Sequence, residues 1–321
     1  MELMDLKRKL SEVCPSLENR IRENVPMSSY CSFRAGGCAG LFIEPATVEE
    51  LRAVLGIVTD MGIPHIILGN GTNTLFEDGT YEGAVIRLDN SSEDFGGIEI
   101  FVSPEDEDNI ILRAGAGALL AKASKMAAAE PWSATGMEGL SGIPGSIGGA
   151  VFMNAGAYGY ETGKVLKSVH AVSSDGSEER DFTKDEVMPG YRHSSFMENG
   201  YIITSAEFSL FRDKQEDIQD RISDYTKART EKQPLSFPSA GSTFKRPEGH
   251  FAGKLIEEAG LKGTSVGGAQ VSQLHAGFVV NTGGATATDI LDLIELVKER
   301  VLENSGVTLE PEVRIIRSGR K

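Results

Sequence analysis

With 47 acidic against 32 basic residues in a chain of 321, the formal net charge is −15, which excludes an extended basic surface of the kind that binds nucleic acid or anionic lipid non-specifically. Any phosphate must therefore be held by a local pocket. The length allows roughly two or three domains with a sizeable core, and the 40% hydrophobic content is ordinary for a globular protein, which weakens a membrane reading.

Residues 1–13 mix Glu, Asp, Lys and Arg with Leu at helical intervals, predicting an amphipathic helix and not a signal peptide. Cys14, Cys31 and Cys38 form an odd count without paired metal spacing, so they read as reduced packing thiols in a cytoplasmic protein. Residues 24–43 carry β-branched, aromatic and Gly-Gly signals, after which Thr47-Val-Glu-Glu50 opens a helix with a capping-box pattern. A strand at His65-Ile-Ile-Leu-Gly69 stops at the turn Gly69-Asn-Gly-Thr-Asn-Thr74, giving a strand, helix, strand start. Such a turn can cradle phosphate through its N–H groups, but it lacks the P-loop lysine and the GxGxxG spacing, so by itself the signal is weak and the bland reading is a plain turn.

Residues 98–114 predict a hairpin around Glu105-Asp-Glu-Asp108, a solvated tip and not a metal site, followed by an alanine-rich helix over 118–129. The run from Gly139 to Gly159 has no charge and sets small residues where a backbone would touch something, so it is either a cradle for an anionic, planar cofactor or a tightly packed loop. Two strands joined by Ser174-Asp-Gly-Ser177 span 165–182, and another covers 202–210. A strongly charged helix over 213–232 then meets Gln233-Pro-Leu-Ser-Phe-Pro238, a natural domain boundary. Beyond it an α+β unit is expected, with helices over 252–259 and 288–304, a turn at Gly267-Gly268 and a strand over 278–281.

The last element, residues 307–316, reads as a strand with Glu310, Glu312 and Arg314 on one face and Leu309, Val313 and Ile315 on the other. Pro311 makes it an edge or an irregular strand. His250 and His275 lack metal-ligand spacing and read as satisfied polar residues, with substrate contact the alternative, and no metal is expected.

Five separated motifs carry a resemblance: Gly69-Asn-Gly-Thr-Asn73; Gly142-Ile-Pro-Gly-Ser-Ile-Gly-Gly149 with Asn154-Ala-Gly-Ala-Tyr-Gly159; Tyr191-Arg-His-Ser194; Gly241-Ser-Thr-Phe-Lys245; and Leu309-Glu-Pro-Glu-Val-Arg314. In order and spacing, over about residues 24–316, they resemble the UDP-N-acetylenolpyruvoylglucosamine reductase family, in its shorter subclass without a tyrosine-bearing lid loop. The resemblance implies an α+β, vanillyl-alcohol-oxidase-type (p-cresol methylhydroxylase-like) FAD-binding fold. Its parts would be two α/β FAD-binding subdomains (1–95 and 96–226), a C-terminal α+β substrate-binding domain (227–306), and a C-terminal strand (307–321) returning to the active site.

It further implies non-covalent FAD, NADPH as hydride donor, a UDP-linked enolpyruvyl sugar as substrate, no nucleic acid or membrane partner, and a monomer serving peptidoglycan precursor synthesis. Hydride from flavin N5 would add to the enolpyruvyl side chain and a proton to the neighbouring carbon. Carried over residue by residue, the catalytic positions are Arg192, Ser242 and Glu312. The cofactor would lie on Gly69, Asn70, Gly71, Thr72 and Asn73, on Gly142, Ile143, Pro144, Gly145, Ser146, Gly148 and Gly149, and on Asn154, Ala155 and Gly156. Substrate would meet Tyr158, Tyr191, Lys232, Lys245 and Arg246.

The chemistry accounts for these residue types. Hydride addition to an enol ether conjugated with a carboxylate drives charge onto that carboxylate, where the Arg192 guanidinium would stabilise it. The resulting enolate is basic enough to take a proton from the Ser242 hydroxyl, and Glu312 would assist as a carboxyl with a raised pKa. Without the resemblance, the same residues read as a surface ion-pair former, a turn residue and a strand carboxylate. The chain departs from the family pattern at Thr72 and Thr74, at Ser146 in place of threonine, and at Arg246 where many relatives have asparagine. A flavin-dependent alcohol oxidase or dehydrogenase, or a non-catalytic nucleotide-binding scaffold, are the alternative classes.

Overall fold

A computed structural model describes residues 2–319, in which the chain divides into two compact units. Residues up to 22, 41–70 and 83–228 form one; residues 23–40, 71–82 and those from 229 on form the other.

The first unit opens with the helix Glu2–Val13, whose Leu6 and Leu10 are fully buried as its amphipathic pattern requires; Met1 of the expected helix lies outside the described residues. Its largest sheet is antiparallel, in the strand order Glu179–Thr183, Leu166–Ser173, Tyr201–Arg212, Asn109–Gly115, Ile98–Val102, with Ala134–Thr135 also paired to Tyr201–Arg212. Both expected hairpins are present. The alternation along Tyr201–Arg212 buries Ala206, Phe208 and Leu210, with Ile203 out of phase across a register shift, on a core that also takes Ile110, Leu112 and Ala114. A second sheet has the order Ile21–Pro26, Cys38–Ile43, Thr80–Arg87, His65–Leu68, and its last pair is parallel, His65 facing Ala84. The strand Thr80–Arg87 thus stands between the two strands that the helix Val48–Asp60 connects.

That helix begins where Thr47 accepts from Glu50 N (3.2 Å), but only half of the expected capping box forms. The Glu50 carboxylate instead accepts from Ala46 N (2.7 Å), Ser16 Oγ (2.6 Å) and, bidentately, from Arg20 (2.8 and 2.6 Å). Both oxygens are thus engaged by charge-assisted bonds from Arg20, one shared with Ala46 N and the other with Ser16 Oγ, in place of the Thr47 N–H. Burial alone would raise this carboxyl; the hydrogen bonds from Arg20, Ser16 and Ala46 outweigh it and hold the pKa at about 2 against an ordinary 4.5. Because the folded-state pKa is depressed, the stabilisation this group contributes is present above its ordinary pKa of 4.5 and is lost as pH falls toward 2. Acid unfolding followed by circular dichroism is expected to be steeper in that window for the parent than for Glu50→Gln; superimposable profiles would refute the assignment.

The charged helix starts at Gln215, two residues later than its pattern predicts, because Asp213 is occupied outside it, accepting from Lys214 N (2.8 Å) and Arg221 Nη2 (2.6 Å).

The second unit carries a three-stranded antiparallel sheet, Ser265–Val266, Ala269–Val271 and Val279–Asn281, turned at Gly267-Gly268. Against it the helix Ala287–Ser305 buries Ile290, Leu293, Ile294, Val297 and Val301, joined by Leu255 and Ile256 of Ala252–Glu258. Asp78 fixes the long helix by accepting from Ala287 N (3.1 Å) and Thr288 N (2.8 Å).

The expected strand over 307–316 is corrected: only Arg314–Ile316 is a strand, parallel to Thr74–Phe76. Upstream, Pro311 makes an isolated bridge with Phe244, since a residue without an N–H cannot sustain a ladder. Leu309 and Val313 are buried as expected.

Cys31 is buried and its thiol is pushed up to about 12 by desolvation, and Cys14 packs on the first core, in keeping with packing roles. No helix among the described residues is long and apolar enough to cross a membrane.

Candidate active site

In the first unit the turn at Gly69 and the run 142–149 meet. Asn70 Nδ2 donates to the Pro144 carbonyl at 2.6 Å, and a Cβ on Gly69 would collide with Ser146 Oγ, so this close approach requires glycine. Ser146 caps the short helix Ile147–Phe152, its Oγ accepting from Gly149 N at 3.3 Å. The run is seated by Leu120 N to Gly145 O (3.0 Å), Ile147 N to Ala118 O (2.8 Å) and Gly148 N to Ala116 O (2.8 Å). The Gly148 N–H is thereby committed within the protein. Two stretches of uncharged, mostly small residues, 73 residues apart between Gly69 and Gly142, thus meet, a composition that suits close approach of an anionic planar dinucleotide such as FAD.

The far end of the run is tied to the loop bearing Tyr191 and Arg192. Asn154 is buried with φ of 43°; its Nδ2 donates to Gly190 O (2.8 Å) and its Oδ1 accepts from Gly163 N (2.8 Å), while Ser194 Oγ donates to Phe152 O (2.8 Å). Gly190 and His193 exchange N–H···O bonds of 3.0 and 3.2 Å, making a tight turn with Tyr191 and Arg192 at its tip. Arg192 has φ of 53°, a left-handed conformation that costs about 1–3 kcal/mol in a non-glycine residue. Its guanidinium carbon is 5.2 Å from the Tyr191 ring centre. Tyr158, also left-handed with φ of 54°, stacks on Tyr225.

In the second unit the segments bearing Ser242 and Glu312 run side by side. Glu312 N donates to Thr243 O (2.8 Å) and Lys245 N to Glu310 O (2.8 Å), setting the two segments side by side. Gly241 has φ of 76°, which turns the exposed Ser242 out of line with the buried Thr243. Thr243 is anchored through its N–H to Gly277 O (2.9 Å) and through Oγ1, which accepts from Val279 N (2.9 Å). Asn73 joins this cluster: its Nδ2 donates to Glu312 O (3.0 Å) and its carbonyl accepts from Arg314 N (3.0 Å). Gly71 O accepts from Ser32 N (3.1 Å). Of the expected substrate contacts, Lys232 is exposed at the end of its helix, Lys245 pairs with Glu310 at 3.2 Å, and the Arg246 guanidinium lies 4.1 Å from the Phe251 ring centre. His275 Nδ1 accepts from Gly277 N (3.1 Å), and burial lowers its pKa, so it reads as a satisfied polar residue.

Sequence reasoning missed three residues beside the run: Glu138, Arg221 and Tyr225. Glu138 is 1% exposed and accepts from Thr135 Oγ1 (2.6 Å), Gly136 N (2.7 Å) and Arg221 (3.0 and 2.8 Å). Burial would raise its carboxyl, yet these donors together hold it below the ordinary range. The four-residue spacing of Arg221 and Tyr225 was the available signal, and the surrounding charge of that helix masked it.

A family model described as "FAD binding domain" matches residues 39–180, and one described as the C-terminal domain of UDP-N-acetylenolpyruvoylglucosamine reductase matches residues 233–316. Two curated relatives named UDP-N-acetylenolpyruvoylglucosamine reductase are similar over almost all of both chains. That of Alkaliphilus oremlandii is 43% identical over 98% of this chain and 99% of its own, and that of Clostridium novyi 42% over 98% of each. The crystal structure of the Thermus caldophilus enzyme named UDP-N-acetylenolpyruvylglucosamine reductase is 35% identical, with a TM-score of 0.75 over 92% of this chain and 99% of that one. The mixed α/β architecture, the apposed glycine stretches and the FAD-binding match define a flavin-dependent oxidoreductase with the FAD-binding fold that the sequence implies. The full-length identities make the assignment specific. The chain belongs to the UDP-N-acetylenolpyruvoylglucosamine reductase family.

Proposed function

We propose that the protein reduces UDP-N-acetyl-3-O-(1-carboxyvinyl)-glucosamine to UDP-N-acetylmuramate with NADPH as electron donor and FAD as a non-covalent cofactor, acting as a cytoplasmic monomer in peptidoglycan precursor synthesis. Residues 1–95 and 96–226 serve as FAD-binding subdomains in this reading, 227–306 as the substrate domain, and the residues from 307 on as its return to the reaction. The observation that supports the proposal is the backbone pairing, within the second unit, of the segment bearing the Ser242 hydroxyl with the distant segment bearing the Glu312 carboxyl.

FAD, when bound by residues 69–73, 142–149 and 154–156, supplies hydride chemistry. Arg192 binds the enolpyruvyl carboxylate and stabilises the charge that accumulates there as the double bond is reduced. Ser242 gives its proton to the carbon next to that carboxylate, and Glu312, protonated or sharing a proton, hydrogen-bonds to the same developing charge. Tyr158, Tyr191, Lys232, Lys245 and Arg246 orient the sugar nucleotide, Lys232 as a point charge for its phosphates in an otherwise acidic protein.

Anaerobic mixing tests this reading. The yellow protein should bleach with NADPH and regain colour when the enolpyruvyl sugar nucleotide is added. Colour that returns with oxygen but not with that substrate would point to an oxidase; a protein that never bleaches would point to a scaffold.

A further inference from the structure

Arg221 and Tyr225 stand four residues apart on the helix Gln215–Lys232 and therefore share a face. Each engages one end of the uncharged run. Arg221 holds the start: its Nε and Nη2 donate to Glu138 Oε1 at 3.0 and 2.8 Å, and Nη2 also reaches Asp213 at 2.6 Å and Thr135 Oγ1 at 3.2 Å. Tyr225 holds the finish: its ring stacks on Tyr158 with centres 4.9 Å apart and planes at 15°, and meets Tyr160 edge-on at 5.7 Å and 70°. The two ends also touch each other, since a Cβ on Gly139 would lie 2.7 Å from Ala157 O and 2.6 Å from the Tyr160 ring.

Residues 138–160 therefore form a loop closed at its base by one helix face, with the small residues 142–149 inside the closure. Closing it costs local strain at Tyr158, which the stack with Tyr225 offsets. A loop ordered before its ligand arrives spares binding the entropy of ordering it. If the base opens, only a fraction of molecules is competent, and apparent affinity falls by that fraction.

We propose that Arg221 and Tyr225 are positioning residues that hold the 138–160 loop in its FAD-binding form, so that they govern how tightly the dinucleotide is retained without touching it. The inference rests on the reading that 142–156 binds FAD. Apoprotein titrated with FAD, followed by the change in flavin fluorescence, tests it, with thermal melts of each apoprotein alongside. Tyr225→Leu is expected to weaken FAD binding about tenfold or more, and Tyr225→Phe, which keeps the ring, to stay within about threefold. Arg221→Met is expected to weaken binding as Tyr225→Leu does and keeps the test decisive if the leucine variant does not fold. Unchanged affinity in the folded leucine and methionine variants, even with lowered melting temperatures, would overturn the proposal. A parent protein that takes up no FAD would overturn the flavin reading itself and the clasp with it.

Discussion

Replacing Ser242 by alanine is expected to leave NADPH-driven bleaching at the parental rate while slowing the return of colour with the enolpyruvyl substrate by about 10²–10⁴-fold, the usual worth of a positioned general acid. The separation follows from the chemistry, because only the second half-reaction transfers a proton to carbon. The local structure makes the variant clean. Ser242 is exposed, while the neighbouring Thr243 supplies the buried anchors to Gly277 and Val279 and Phe244 faces Pro311. Removing one exposed hydroxyl should therefore change stability by less than about 0.5 kcal/mol. Stopped-flow absorbance of the two half-reactions decides it: equal losses in both would remove Ser242 from the role of proton donor.

The sequence is most legible where a period is written into it. The helices Glu2–Val13 and Ala287–Ser305 and the hairpins of the large sheet follow directly from 3.6- and 2-residue patterns of apolar side chains. It is least legible where two candidates compete for one group. Thr183-Lys-Asp-Glu186 and Thr47-Val-Glu-Glu50 share one pattern, yet only the former forms both halves of the capping box. An arginine holds each carboxylate, but Arg180 takes one oxygen of Glu186 and leaves the other to Thr183 N, whereas Arg20, thirty residues from Glu50 in sequence, takes both oxygens. The candidate site divides in the same way. Small residues at 69 and 142–149 announce a close approach, but Asn73 beneath Glu312 rests on a contact 239 residues long and left no local trace. Pro311 signalled irregularity without revealing that Phe244 would be its bridge partner.

Arg192 offers a test in which stability and turnover should move independently. Its left-handed backbone is a conformation that glycine adopts without penalty, so Arg192→Gly relieves strain as it removes the guanidinium. The expected result is a melting transition within about 1 kcal/mol of the parent, because relaxation offsets both the lost side-chain interactions and the greater freedom of glycine in the unfolded chain. Turnover of the enolpyruvyl substrate should fall about 10²–10³-fold, as when one fixed donor is taken from a developing oxyanion. Arg192→Lys should recover little of that loss, since a compact ammonium cannot reproduce a planar fork on a carboxylate. If Arg192 were only an ion-pair former at the surface, glycine would lower the melting temperature and spare turnover, and lysine would restore both. A strained backbone persists only where neighbouring contacts hold it, and here the paired Gly190 and His193 and the Asn154 tie do so. Measuring calorimetric stability beside turnover for the three proteins therefore distinguishes a side chain kept for catalysis from one kept for folding.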